Sequence, residues 1–504
     1  MTKFLAGLAL GTSLLASLTA QAAPTLVNAL SIPMGTDLSG EPSEGAQNRL
    51  GGIFSDLYYD RHTGYYYALG DRGPGGGVLP YAPRINKFAL TVDPVTGAAS
   101  NFVLVDTIVF KQADGSSFTG LNPSLDPNNG SKSVLGGSFD PEGLTMTKNG
   151  HFLVADEYGP SIKEFDASGK LVRAFTTPEN LLPKQGATLN YVDGRGTITT
   201  GRQDNRGFEG LTITPDGKYA LAVMQDPLVN EGTDNGAIDG RRSRNVRIVK
   251  FDVATGEAVG QYIYQLDARA DINANVPGHT FGGSAQGRNI GLSAIIAIND
   301  QEFLVIERDN RGLGVENPDL TDGNDADFVG IKRIYKIDIT GATDVSGIDL
   351  TNTNSLPGGV SPVSKTLFLD LAAALNAAGL PITEKMEGIT FGEFLNDGSL
   401  SFLMGIDNDF SVTQTGSGTQ YDVCAGPTFA GATDEFSNTI PLGSTCPDGT
   451  ALIDNWLYAF TLSAQDVAGL NFVPQARVPV PAAALLFGAG LAGVAALRRT
   501  RRAR

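Results

Sequence analysis

Short apolar runs separated by turn residues recur along the chain, and three of them open on one pattern: Asp140-Pro141-Glu142-Gly143-Leu144-Thr145, Gly207-Phe208-Glu209-Gly210-Leu211-Thr212 and Lys385-Met386-Glu387-Gly388-Ile389-Thr390. Each opens an apolar strand, a turn at Asn149-Gly150, Asp216-Gly217 or Asp397-Gly398, and a second apolar strand. Apolar runs joined by Asn-Gly or Asp-Gly predict antiparallel hairpins. The second strands end in Asp156-Glu157, Gln225-Asp226 and Asp407-Asn408-Asp409. Two degenerate copies fit the same frame: Ser55-Asp56-Leu57 leading to Asp71-Arg72, and Ile290-Gly291-Leu292-Ser293 leading to Glu307-Arg308-Asp309.

A third strand stops at a turn in four units, at Asn86-Lys87-Phe88, Lys163-Glu164-Phe165, Val249-Lys250-Phe251 and Tyr335-Lys336-Ile337, and a fourth strand follows most of these turns. The fifth unit carries its third strand at Asn455 to Phe460 without that turn. Four antiparallel strands per unit predict an all-β chain folded as a β-propeller, with five repeats visible and five to seven blades in all; an array of β-sandwiches is the alternative. The repeats lie farther apart than the roughly 40 to 45 residues of a minimal blade, so insertions or a further blade are expected. Residues 25–33 are apolar enough to close the last blade.

In a hairpin the start of the first strand faces the end of the second, so blade symmetry gathers the acids on one rim of the central channel. The candidate metal ligands are Asp71, Glu142, Asp156, Glu157, Glu209, Asp226, Glu307, Asp309, Glu387, Asp407 and Asp409. Crowded carboxylates without Cys or clustered His select a hard cation, Ca²⁺ before Mg²⁺. Basic residues recur beside them at Arg72, Arg206, Arg308 and Lys385. Such side chains either bind phosphate oxygens or offset the neighbouring carboxylates. Asp216 and Asp397 are expected to be plain turn formers. His62, His151 and His279 have no metal-site spacing, and His151 is expected on a surface strand. Asp322 to Asp327 resembles a calcium loop in composition but lacks the closing Glu, and is expected to be a flexible acidic insertion.

Composition bears on partners and compartment. A hydrophobic content of 41% with 18% charged residues is a globular balance, which excludes collagen, coiled coil and wholesale disorder despite 63 glycines in 504 residues. The net charge is −17, and the body is more acidic still because Lys3 and a terminal arginine cluster are basic. An acidic body disfavours nucleic acid as a partner. No Walker loop, Rossmann fingerprint, G-x-S-x-G elbow or H-E-x-x-H is present.

Residues 1–22 are expected to be a signal peptide, with a basic start, an apolar run from Phe4 to Leu18, and Ala20-Gln21-Ala22 before the cut. Residues 478–504 combine Val478-Pro479-Val480-Pro481, an apolar stretch from Ala482 to Leu497 and an arginine cluster. That order predicts a short transmembrane helix with a basic cytoplasmic anchor. It resembles the PEP-CTERM/VPxxA sorting tails of Gram-negative bacteria, with Pro-Val-Pro where Pro-Glu-Pro is usual. The resemblance implies export to the periplasm, the cell surface or the medium, transient membrane association, and a sorting enzyme of exosortase type as partner. Residues 25–473 form the expected propeller domain, acting as a monomer. Cys424 and Cys446, in an oxidising compartment, are expected to form a disulfide.

With Phe139 to Leu144, Ala155-Asp156-Glu157-Tyr158-Gly159-Pro160, Asn205 to Leu211 and Lys385 to Ile389 in view, the chain resembles the phytase-like family, described as esterase-like activity of phytase, from about Gly51 to about Leu462. The resemblance implies a calcium-dependent hydrolase of phosphate esters. Glu142, Glu209 and Glu387 would be the catalytic acids, with Arg72, Arg206 and Arg308 holding phosphate oxygens. The alternatives are a calcium-dependent propeller lactonase or carboxylic esterase, and a non-enzymatic calcium-stabilised envelope propeller.

Overall fold

A computed structural model describes residues 23–41, 45–46, 48–276, 281, 290–318, 328–415, 418–426 and 439–475. The expected signal peptide, the sorting tail, His279 and the Asp322–Asp327 segment lie outside them. The described residues form a five-bladed propeller. Blade 1 comprises Asp56–Asp60, Tyr65–Leu69, Arg84–Val92 and Ala99–Val109, and blade 2 comprises Pro141–Met146, Phe152–Asp156, Ser161–Phe165 and Leu171–Ala174. Blade 3 comprises Phe208–Ile213, Tyr219–Met224, Asn245–Asp252 and Ala258–Gln265, and blade 4 comprises Ile290–Ala297, Glu302–Asp309, Lys332–Asp338 and Ser364–Asp370. In blade 5, Lys385–Phe394, Leu400–Asp407 and Asn455–Leu462 are completed by Thr25–Ile32, which pairs antiparallel with Asn455–Leu462. This clasp joins the two ends of the blade array, as the apolar run at residues 25–33 predicted.

The innermost strands touch in the cyclic order blade 1, 2, 3, 4, 5 and back to 1, so the ring closes at five. The wide repeat spacing therefore comes from insertions and not from a sixth or seventh blade. One insertion is a small sheet of Val412–Gln414, Gln420–Ala425, Thr439–Pro441 and Ala451–Leu452, between the second and third strands of blade 5. Cys424 and Cys446 are disulfide-bonded within it, across a separation of 22 residues.

Why the repeat demands glycine after its glutamate is visible at the channel. A Cβ on Gly143 would lie 2.6 Å from the backbone nitrogen of Leu211, one on Gly210 2.7 Å from Cα of Ala294, and one on Gly388 3.0 Å from the nitrogen of Leu57. Neighbouring inner strands thus approach backbone to backbone at these glycines, which five-fold closure requires. Between blades the packing is apolar: Leu153 and Ile162 share one buried cluster with Phe208 and Val223, and Phe54 and Leu57 share another with Leu403 and Leu457.

The channel has two unlike ends. Toward the ends of the inner strands it is mainly apolar, an opening of about 400 Å³ between residues such as Leu57, Leu144, Leu211 and Phe391, with Asp60, Arg61 and His62 also lining it. Phe472–Gln475 crosses this end, where Gln475 accepts from the Tyr58 hydroxyl at 2.9 Å and donates to the Met146 carbonyl at 2.6 Å. At the starts of the inner strands the channel is polar.

Candidate metal centre and acidic mouth

Each motif glutamate sits where its strand loses register. Pairing skips Glu142 between Pro141 and Gly143, and skips Glu209 between Phe208 and Gly210; the same irregularity in blade 5 spans Glu387. A β-bulge re-aims the extra side chain. All three glutamates accordingly line one cavity of about 390 Å³, together with Asp71, Glu157 and Asp409. Blade 4 has the equivalent bulge at Ser293, whose hydroxyl accepts from Nε of Arg308 at 2.6 Å.

Three groups of carboxylates have ligand atoms all within 4.8 Å of one another: Glu142 with Glu157 and Glu209, Asp71 with Asp407 and Asp409, and Asp71 with Asp140 and Glu142. In the first group, Oε1 of Glu157 and Oε2 of Glu209 are buried with no hydrogen-bond partner, as is Oε2 of Glu387 nearby. Burial, then the charge of Glu209, holds the Glu142 carboxyl well above the usual carboxylate range. Burial and then Glu157 and Glu387 do the same to Glu209. Glu387 is pushed up to about 7 by burial, with Arg308 opposing and Asp407 reinforcing the shift. Buried carboxylates that raise one another and leave oxygens unpartnered fit a bound hard cation, because it supplies the missing charge and accepts those lone pairs.

Other expected ligands are placed elsewhere. Asp156 is fully buried and bound by Lys163 Nζ at 2.5 Å and by the backbone nitrogens of Asp140 and Tyr158. Strand alternation sends Arg308 to the mouth and its neighbours Glu307 and Asp309 to other surroundings. Glu307 accepts from the Tyr264 hydroxyl, Lys365 and the Asp267 nitrogen, each at 2.6 Å, while Asp309 pairs with Lys332 at 3.0 Å. Asp226 lines a small side recess and meets Nε of Arg206 at 3.2 Å. Asp407 does not line the mouth cavity, but its Oδ2 accepts from Lys385 Nζ at 3.0 Å.

The arginines differ in how far they are committed. Arg72 gives an N–H to Asp140 at 3.1 Å and another to the Asn205 side chain, and Arg308 bonds Glu387 at 2.5 Å. Arg206, with 26% of its side chain exposed, pairs with Asp226 and with none of the central acids. Sequence reasoning did not single out Asp140, Glu316, Glu384, Asn205 or Asn310. Asp140 stands in the first motif and Glu384 immediately before Lys385, so position in the repeat was the available signal. Glu384 is raised to about 8 by burial and then by Asp409 and Glu316. His151 is partly exposed and pairs with Glu164 at 2.7 Å, away from the mouth. Asp216 and Asp397 accept backbone N–H groups two residues on, at 2.9 Å each.

A five-bladed propeller with an acidic, arginine-bearing mouth defines the class of molecule. The chain belongs to the phytase-like family, described as esterase-like activity of phytase, whose model matches residues 48–410. It is 26% identical over 355 residues to a protein of Arthroderma benhamiae named as an uncharacterized secreted protein, a match covering 61% of this chain and 67% of that one. Among solved structures it is similar to virginiamycin B lyase from Staphylococcus aureus, at 11% identity and TM-score 0.28 over 86% of this chain and 98% of that one. It is likewise similar to a luciferin-regenerating enzyme, at 12% identity and TM-score 0.28 over 86% and 97%. No helix among the described residues is long and apolar enough to cross a membrane.

Proposed function

We propose that the protein is an exported hydrolase that cleaves phosphate esters with the help of Ca²⁺ held at the acidic mouth. The observation that carries this reading is the group of Glu142, Glu157 and Glu209, buried, mutually close and with oxygens lacking partners, in one cavity with Arg72, Arg206 and Arg308. An all-carboxylate donor set favours Ca²⁺ over softer ions. A divalent ion there would supply positive charge to a phosphoryl oxygen and make water more acidic. Arg206 is the side chain best placed to hold a phosphate oxygen, being the most exposed of the three arginines. Glu387, in the same cavity and with its carboxyl raised by burial, is suited to take a proton from the attacking water and return it to the leaving oxygen. In that reaction water adds to phosphorus, the P–O ester bond breaks, and the proton ends on the released alcohol. Export is supported by the secreted name of the fungal relative and by the disulfide, which persists in oxidising compartments.

The test is an assay of chelator-stripped protein against a phosphomonoester, a phosphodiester, inositol hexakisphosphate and a carboxylic ester, with and without added Ca²⁺. Phosphate release restored by Ca²⁺ is the expected result. Carboxylic ester turnover alone would replace the phosphate reading with an esterase or lactonase. No turnover, with Ca²⁺ only raising thermal stability, would leave a binding propeller.

A further inference from the structure

Resting on that reading of the acidic mouth, we infer that the Lys385 ammonium is the resident cation of the Asp71, Asp407 and Asp409 group, masking a second, latent divalent-ion site, so that one divalent ion serves the mouth at Glu142, Glu157 and Glu209. The three carboxylate groups look alike by composition and spacing. Their partners separate them. Lys385 Nζ donates to Asp407 Oδ2 at 3.0 Å and to Asp409 Oδ1. Two further oxygens are served by backbone: Asp71 Oδ1 accepts from the Gly73 nitrogen at 2.7 Å, and Asp407 Oδ1 from the Asp409 nitrogen at 2.8 Å.

The chain goes to some length to bring Asp409 there. Asp409, Phe410 and Ser411 all adopt left-handed backbone, with φ of 49°, 55° and 54°. Three consecutive non-glycine residues in that region are disfavoured unless the surroundings hold them. Asn408 does so: its Oδ1 accepts from the nitrogens of Phe410 at 3.1 Å and Gly52 at 2.6 Å, and its Nδ2 donates to the Ile453 carbonyl at 2.7 Å. The group that contains Asp140 has its own cation, because the Arg72 guanidinium donates to Asp140 Oδ2 at 3.1 Å, while the Arg72 backbone N–H donates to Oδ1 at 3.1 Å.

Nothing comparable serves the remaining group. Oε1 of Glu157 and Oε2 of Glu209 are buried and unpartnered, and Arg308 stands 3.9 Å from Glu209 while its Nη2 donates to Glu387 and its Nε to Ser293. Buried carboxylates are retained where a cation pairs with them. Two groups have that cation built into the sequence, and the third must take it from solution. A divalent ion at the Asp71 group is disfavoured while Lys385 is there, since the ammonium already holds one oxygen each of Asp407 and Asp409 and the two cations repel each other.

The experiment counts bound ions on the full chain. Wild type, Glu209→Gln, Lys385→Met and Asp409→Asn proteins are stripped with chelator, equilibrated with saturating Ca²⁺, and measured by calorimetric titration and elemental analysis. Reading differences from wild type cancels any ion bound elsewhere on the molecule. Lys385→Met is expected to gain one ion, Asp409→Asn to keep the wild-type number, and Glu209→Gln to lose one. No gain in folded Lys385→Met, or loss of an ion in Asp409→Asn, would overturn the inference; Asp409→Asn decides the matter if Lys385→Met does not fold. An unchanged count in Glu209→Gln would instead overturn the metal reading beneath it.

Discussion

Replacing Glu209 by glutamine should have opposite effects with and without calcium. Glu209 has Glu142 and Glu157 with ligand atoms within 4.8 Å and Arg308 at 3.9 Å. At an effective dielectric of about 20, each repulsion amounts to about 3.5 kcal/mol and the attraction to about 4 kcal/mol. These three pairs alone leave roughly 3 kcal/mol of net repulsion at this side chain in the metal-free protein, less whatever protonation relieves. Glutamine removes it, so the variant should be more stable than wild type in chelator at pH 7.5. In calcium at a hundred times its dissociation constant, wild type gains about 2.7 kcal/mol that the variant forgoes. The sign with pH follows from the upward shift of Glu209. The folded state then holds more protons than the unfolded chain above the ordinary carboxylate value, so metal-free stability falls as pH rises through that window. The advantage of the variant should accordingly shrink on lowering the pH toward the ordinary value of about 4.5. Urea unfolding at pH 7.5 and at pH 4.5, each with chelator and with Ca²⁺, reads all four conditions. A variant less stable than wild type in chelator, with a full calcium response, would refute the argument.

Three further outcomes are expected. Gly210→Ala places a methyl 2.7 Å from Cα of Ala294, between two inner strands that cannot separate without opening the ring; a loss of about 1–3 kcal/mol or more in urea unfolding is expected, and an unchanged midpoint would mean that the strands yield. Arg206→Ala should raise KM for a phosphate ester several-fold without changing calcium content, because Arg206 pairs only with Asp226 among the acids of Glu142, Glu157, Glu209 and Asp226; equal loss of bound calcium would assign it to the metal site instead. Replacing both Cys424 and Cys446 by serine removes a cross-link over 22 residues, worth about 3 kcal/mol in the chain-entropy model; limited proteolysis should then cut first within residues 412–452, and cleavage beginning in the blades would contradict that.

The repeat was legible because a blade has a strong local grammar: apolar strand, Asx-Gly turn, apolar strand, with Glu-Gly at the channel. That grammar located all five inner hairpins and the closing strand near Thr25. Blade number was harder to read, because the small sheet inserted between Leu400–Asp407 and Asn455–Leu462 lengthens the last unit without adding a blade. At the site, Glu142, Glu209 and Glu387 were found because the motif marks them. The bulges that turn them inward were not, since a register slip leaves no residue signature here beyond the glycine that follows. Glu307 and Asp309 were misplaced for a related reason: strand alternation gives the mouth one residue of Glu307-Arg308-Asp309, and only the fold says that it is the arginine. Which acid already has a cation is a matter of three-dimensional pairing. Nothing in the spacing of Lys385, Asp407 and Asp409 separates them from Glu142, Glu157 and Glu209.

The segment Phe472–Gln475 lies across the mainly apolar end of the channel, with Gln475 bonded to Tyr58 and Met146, whereas the motif glutamates and Arg72, Arg206 and Arg308 open at the other end. The molecule is thereby polarised along its axis. Gln475 lies at the apolar end, so an anchor, bead or reporter attached through that end should present the acidic mouth outward. Immobilisation through that end should leave the mouth accessible to solutes, while a load fused at the same place should approach the apolar end first.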